Sequence, residues 1–399
     1  MLVTLFWLLT FCALYSYFIY PVILLCLARC KASPPQPDNH TSSTNTDPAN
    51  TALLNKAPTL SLIITAYNEV GRIRNKINNT LALKNNSHEQ NKSPELEIII
   101  ASDCSDDGTD DIVKEYSDQG IKLVRAPERL GKEHAQLCAI KQAQGDVLIF
   151  SDVATQIPED AIEKLSNYFC DPTIGSISSE DRFISQSGDV VGEGAYVRYE
   201  MWLRSLESKV GGLVGLSGSF FAARKDLCQT WDIHSPSDFN TALNTATQGM
   251  RAITAPDVLG YYQDLSDPSK EYARKTRTII RGLTSLSRNP QALNPFKHGL
   301  FAFQVFSHKL MRWLEPWFLI GLLFVNFMLA SQHSFFALTL VLQCLFYGTA
   351  LCAHYSSNIK NNTAAKLIYF FVQVNMAIFD ASCQFLAGKR MSVWQPSAR

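Results

Sequence analysis

Residues 1–28 contain no Asp, Glu, Lys or Arg. A bilayer-crossing helix needs about 20 apolar residues, so this stretch is long enough for one. A cleaved signal peptide would want a basic start and a shorter apolar core, and both are missing. The segment therefore reads as a retained anchor, residues 1–31. Arg29 and Lys31 follow at once, and the positive-inside rule places the chain beyond them in the cytoplasm. Charge vanishes again over 316–359, where the run divides at 331–334 into candidate spans 313–330 and 335–353. A third apolar stretch, 367–387, carries Gln373, Asp380 and Gln384 near one helical face. It either spans within a bundle or lies at the interface. Lys389, Arg390 and Arg399 favour a cytoplasmic C-terminus, whereas a third span would place that end outside. Residues 296–310 mix aromatics with His and Lys and read as an interfacial helix.

The mean hydropathy of −0.02 is thus a sum of unlike parts. Basic and acidic residues balance at 36 each, which argues against a polyanion or nucleic-acid binder. A hydrophobic content of 46% with 18% charged residues excludes wholesale disorder. The ten cysteines are scattered, without a CxxC pair or zinc spacing, and Cys12, Cys26, Cys344, Cys352 and Cys383 lie in apolar runs. They read as small hydrophobes rather than a disulfide framework. Residues 32–57 are rich in Pro, Ser, Thr and Asn and read as a flexible linker, and 84–93 as a loop insertion.

From Thr59 onward, short β-branched runs alternate with helical patterns. Strands are expected at 60–65, 96–101, 121–125, 147–150 and 174–178, and helices at 69–81, 109–116, 132–144 and 159–169. That order implies a mostly parallel sheet covered by helices on both faces, with ligands held at the carboxyl ends of the strands. Three such ends share one chemistry: Thr65-Ala66-Tyr67-Asn68-Glu69, then Ser102-Asp103-Cys104-Ser105-Asp106-Asp107-Gly108-Thr109, then Ser151-Asp152-Val153-Ala154-Thr155. Carboxylates gathered on one edge repel unless a cation or ligand hydroxyls share their charge. Each segment alone would pass for ordinary loop and cap chemistry; three at successive strand ends point to a site. No GxGxxG follows the first strand, Gly131-Lys132 lacks the rest of a P-loop, and Gly215-Leu216-Ser217-Gly218-Ser219 misses the hydrolase elbow by one position.

With those motifs in order, residues 59–282 resemble the membrane-bound inverting glycosyltransferases of family two, in particular the cellulose/hyaluronan synthase-like group. The further matching stretches are 128–132, 192–200, 214–223, 236–243 and 274–282, with 307–313 resembling the entry to the family's membrane region. The resemblance implies an α/β fold: a GT-A, Rossmann-like nucleotide-sugar domain between an N-terminal transmembrane anchor and C-terminal transmembrane helices. It implies that Thr65, Tyr67, Glu69, Asp103, Lys132, Asp152 and Arg277 bind a nucleotide sugar, with UDP as the nucleotide. It also implies that Asp152 holds a divalent metal, Mg2+ or Mn2+, that Ser217 and Gly218 line the acceptor site, and that Asp238 is the general base.

Two departures stand out. Ala154 occupies the position of the second metal-binding carboxylate, and the QxxRW element of polymerising relatives survives only at Arg277. Asp238 has a second reading as a helix cap, because Ser237 and Asp238 precede a helical pattern. Arg274, Arg277, Arg281 and Arg288 form one basic stripe; Arg277 is assigned to the diphosphate and Arg288 to lipid headgroups. The organisation expected is anchor 1–31, linker 32–57, glycosyltransferase domain 58–290, interfacial helix 291–312, transmembrane helices 313–388 and basic tail 389–399. The expected partners are a nucleotide-sugar donor, a glycan or lipid-linked acceptor and membrane lipids, with an oligomer or export partner because so few spans build no channel alone. The rival is a catalytically silent relative that binds nucleotide sugar or lipid as a membrane scaffold.

Overall fold

The computed structural model describes residues 1–30, 57–89, 96–184, 195–263 and 268–391. Most of the expected linker, part of the 84–93 insertion, the start of the 192–200 motif and the tail from 392 lie outside the described residues. The chain divides into two compact units.

The larger unit is built on a seven-stranded sheet of order β3-β2-β1-β4-β6-β5-β7. Its strands are β1 (Leu60–Ala66), β2 (Leu96–Ser102), β3 (Ile121–Arg125), β4 (Val147–Asp152), β5 (Ile174–Ile184), β6 (Phe220–Arg224) and β7 (Arg251–Gln263). Strands β1 to β4 run parallel, β6 is antiparallel to both β4 and β5, and β7 is parallel to β5. All seven residues of β1 are buried, as a central strand covered on both faces requires. Its side chains alternate between two cores. Leu62 and Ile64 pack with Ile73, Ile77 and Leu165 on one face. Ile63 packs with Ala135, Ala139 and Phe150 on the other. Phe150 stacks on Phe221 and Trp231, with ring centroids 4.8 and 5.0 Å away.

The expected strands are present, with three differences. Strand β4 runs on to Asp152, β5 continues to Ile184, and β6 and β7 had no counterpart among the expected elements. Short antiparallel β6 lies in a stretch read only as acceptor lining. The helix expected at 69–81 begins at Ile73, because the Glu69 carbonyl accepts from the Arg72 and Ile73 amides in a turn ahead of it.

The smaller unit contains most of the apolar helices. Among the described residues, four helical runs are long and apolar enough to cross a membrane: Leu2–Cys30, Pro295–Leu329, Ser334–Tyr355 and Thr363–Leu386. The doubtful stretch at 367–387 is thus a full-length apolar helix. The segment expected to lie at the interface joins the following span in one helical run, bent at Gly299, whose φ of 50° suits glycine. Phe6 packs with Leu322, Val325, Leu329 and Phe336, while Phe324, Phe327, Leu342 and Leu345 remain exposed, as lipid-facing side chains would.

Candidate active site

Parallel pairing brings the three motif-bearing strand ends to one edge. Thr65 is in register with Asp152, and Ala66 with Ser102. The chain then leaves β1 and β2 through two loops that clasp each other. Asn68 donates from Nδ2 to Asp106 at 2.7 Å, and its Oδ1 accepts from the Asp106 amide at 3.0 Å. Asn68 and Cys104 both adopt left-handed φ, at 51° and 60°, a conformation Asn tolerates better than most residues.

Asp103 is fully buried just beyond β2. The Gly131 amide donates to its Oδ1 at 3.1 Å, while its Oδ2 is buried without a hydrogen-bond partner. Burial holds this carboxyl above the usual range, against the lowering pull of the Gly131 amide, Arg129 and His134. A buried acceptor left unsatisfied costs about 1–3 kcal/mol, which a ligand hydroxyl or N–H would recover. Thr65 Oγ1 is likewise buried and unpartnered. The Arg129 guanidinium lies 3.9 Å from the centre of the Tyr67 ring, near these groups in sequence.

Glu69 has partners in its own turn and in the neighbouring loop. Its carboxylate pairs with Arg72 at 2.6 Å, and its amide donates to Thr109 Oγ1 at 2.8 Å. Burial raises this carboxyl; Arg72 lowers it, and Asp152 and Asp107 raise it further. These contacts hold the loop in place.

Lys132 opens the helix Lys132–Ile140, after Gly131 turns the chain at φ 106°. Its side chain is 9% exposed, and Nζ lies 2.5 Å from Asp152 Oδ1. The same ammonium donates to the Gly218 carbonyl at 2.9 Å. Beneath this strand end the fully buried Lys76 donates to Ser151 Oγ at 2.9 Å and to the Thr155 carbonyl at 2.5 Å. Burial lowers Lys76 to about 7, with Asp152 opposing.

Asp238 lies in the first turn of the helix Ser237–Thr247, whose cap position is Pro236 and carries no side-chain cap bond. The capping role is therefore not filled by Asp238. Its carboxylate instead lies against Gly218, whose carbonyl accepts from Lys132. Ser217 donates to both oxygens of Asp181, at 2.7 and 2.8 Å, and Ser219 adds a bond at 3.0 Å. Loss of solvation raises the Asp181 carboxyl, while Ser217, Arg204 and Ser219 pull it down. Asp181 fixes the loop that carries Gly218 and was missed because the expected strand ended at 178. A carboxylate on the extension of a strand beside three serines gives no sequence signal of its own.

Arg277 lies on the helix Pro268–Arg288 and belongs to the other unit. Arg288, expected from sequence at lipid headgroups, pairs with Asp232, Nε to Oδ2 at 2.7 Å.

The donor set does not suit a divalent cation. Asp152 is the single carboxylate of its segment, Ala154 offers no ligand, and Lys132 already pairs with Asp152. Among the described residues no three His, Cys, Asp or Glu side chains come together as a metal site.

Residues 61–229 match the model of Glycosyl transferase family 2. That stretch carries the three strand-end motifs, Lys132 and Gly218. Its poly-beta-1,6-N-acetyl-D-glucosamine synthase relative from Staphylococcus epidermidis is 26% identical over 181 residues, 43% of this chain and 42% of the relative. A Bacillus subtilis protein named as a teichuronic acid biosynthesis glycosyltransferase, TuaG, is 33% identical over 114 residues, 28% of this chain and 42% of that protein. The match thus spans less than half the length of either relative. The mannosyltransferase PcManGT from Pyrobaculum calidifontis, solved in complex with GDP-Man and Mn2+, superposes with a TM-score of 0.70 at 21% identity, over 98% of this chain and 100% of that one. The chain therefore has the GT-A fold expected from its motifs.

Proposed function

We propose that this chain is a membrane-bound inverting glycosyltransferase, moving a sugar from a nucleotide donor to a glycan or lipid-linked acceptor in polysaccharide or cell-envelope synthesis. The observation that carries the reading is the meeting of Lys132, Gly218 and Asp238 beside Asp152 at the carboxyl edge of the sheet. Asp103 and Thr65 offer unpaired acceptors to the nucleoside, with Tyr67 beside them, and a UDP-linked sugar is the donor we favour.

Inversion needs an acceptor hydroxyl to attack the anomeric carbon from the face opposite the leaving diphosphate. Asp238 takes the hydroxyl proton as the new bond forms, a role worth about 10²–10⁴-fold in rate. Gly218 leaves room for the acceptor beside that carboxylate, and Ser217 holds the loop through Asp181. Arg277 is the arginine assigned to the diphosphate, where a planar fork suits phosphate oxygens. The positive charges of Arg29 and Lys31 at the end of the first apolar stretch support a cytoplasmic domain at the inner or plasma membrane. An oligomer or export partner completes any route across the bilayer.

The test supplies membranes containing the full chain with labelled UDP-sugars and sizes the products. Sugar transfer by wild type and its loss in Asp238→Asn support the reading. Turnover unchanged by that substitution removes Asp238 as the base.

A further inference from the structure

We infer that Lys132, rather than a divalent cation held by the protein, meets the negative charge that develops on the departing nucleoside diphosphate. This rests on the proposed sugar transfer at the same site.

Most carboxylates near the edge are already engaged; Asp103 keeps one unpartnered oxygen, but among the described residues no three acidic, Cys or His side chains come together to hold a metal. Glu69 pairs with Arg72. Asp106 is bound by Asn68, and Asp107 accepts from the Val70 amide and Thr109. Asp181 is taken by Ser217 and Ser219. Asp152 is left with Ala154 where a second ligand would stand, and its Oδ1 is occupied by the Lys132 ammonium. A divalent cation on Asp152 would face that ammonium, and like charges at such range repel.

The lysine is also built for the work. Its side chain is nearly buried, so its charge is poorly screened by water. Two of its three donor protons go to Asp152 and the Gly218 carbonyl, which leaves the third for a ligand oxygen. Gly218 is also the residue against which the Asp238 carboxylate rests. The ammonium and the base therefore meet the same glycine, which brings the leaving-group charge and the attacking hydroxyl to one place. Lys76 adds a second amino group under the same strand end.

The step balances within these groups. The acceptor oxygen bonds to the anomeric carbon, and its proton passes to Asp238. The bond from that carbon to the phosphate oxygen breaks, and its electron pair stays on the diphosphate. Lys132 keeps its proton and donates a charge-assisted hydrogen bond to the oxygen that gains charge.

The experiment uses the purified full chain in detergent and reads binding of UDP and of GDP by calorimetry, in EDTA and in added Mn2+. For whichever nucleotide binds, the expected Kd agrees within about twofold in the two buffers, and Lys132→Met weakens it by about 10- to 100-fold in both, as losing a charged hydrogen bond would. Lys132→Arg recovers part of the loss. Thermal melting separates a binding defect from misfolding. Binding that disappears in EDTA and returns with Mn2+ overturns the inference, as does an undiminished Kd in a folded Lys132→Met. Nucleotide binding without turnover of any sugar nucleotide overturns the proposed transfer but leaves the charge assignment standing. Failure of wild type to bind either nucleotide overturns both.

Discussion

A Cβ added to Gly218 would lie 3.2 Å from Asp238 Oδ2, so the absence of a side chain at 218 is what lets this carboxylate reach the edge of the sheet. That separation is tighter than ordinary carbon–oxygen contact, and the carboxylate must move by a few tenths of an ångström to admit a methyl group. Gly218→Ala is expected to lower kcat about tenfold or more, because small displacements of a catalytic group are costly. The fold should survive, since Gly218 has no positive φ among the glycines that do. Steady-state kinetics beside a thermal melt check this; a full-rate Gly218→Ala would show that Asp238 is not held against this glycine during turnover.

Asp103 presents a buried oxygen with no partner, and that vacancy in the hydrogen-bonding pattern makes a binding prediction. Asp103→Asn keeps the size but replaces an acceptor-only group with one that donates as well as accepts. A nucleoside hydroxyl or ring N–H donating to Oδ2 would lose a charge-assisted bond, weakening nucleotide affinity by about 10-fold or more. Calorimetry with UDP or GDP reads the change directly. An unaltered Kd would mean that the free oxygen faces no ligand.

The two motif loops are joined through Asn68, which combines a left-handed backbone with a reciprocal bond to Asp106. Asn68→Ala loses the clasp and forces an alanine into a conformation that costs it about 1–2 kcal/mol. Asn68→Gly loses the clasp alone, because glycine enters that region freely. The Gly variant should therefore be the more stable of the two by about 1 kcal/mol, measured by denaturant or thermal unfolding of the solubilised chain. Equal stabilities would show that the loop relaxes out of the left-handed region once the clasp is cut.

Much of this site was legible in the sequence because parallel strands place their ends on one edge whatever their packing. Thr65, Asp103 and Asp152 follow from that rule and from the β-branched runs before them. Lys132 and Gly218 came from motif resemblance, and the structure brings them together. What the sequence hid was connectivity in space. Asp181 sits on an extension of β5 that no periodicity marks, and its meaning comes from Ser217 and Ser219 about 40 residues away in the chain. Glu69 and Arg288 likewise have partners that the sequence did not show, Arg72 and Asp232.

Lys76 supplies a prediction about pH. Burial lowers its folded-state value to about 7, well below the value of about 10.4 for a lysine in an unfolded chain. A basic group with a depressed folded value binds fewer protons in the folded state than in the unfolded one. Its contribution to stability is complete above the unfolded value and is lost as pH falls through about 7. Between those limits the folded protein gains stability as pH rises, by at most about 1.4 kcal/mol per pH unit from this one group. Lys76→Met removes the titration while keeping an unbranched apolar chain, although it leaves Ser151 Oγ and the Thr155 carbonyl without that donor. The variant may start from a different baseline, so the slope rather than the height is the readout. Unfolding free energies of both proteins from pH 7 to 9.5 should diverge, with wild type rising relative to Lys76→Met. Parallel curves would mean that Lys76 is protonated in the folded state throughout, held charged by Asp152 and its oxygen partners.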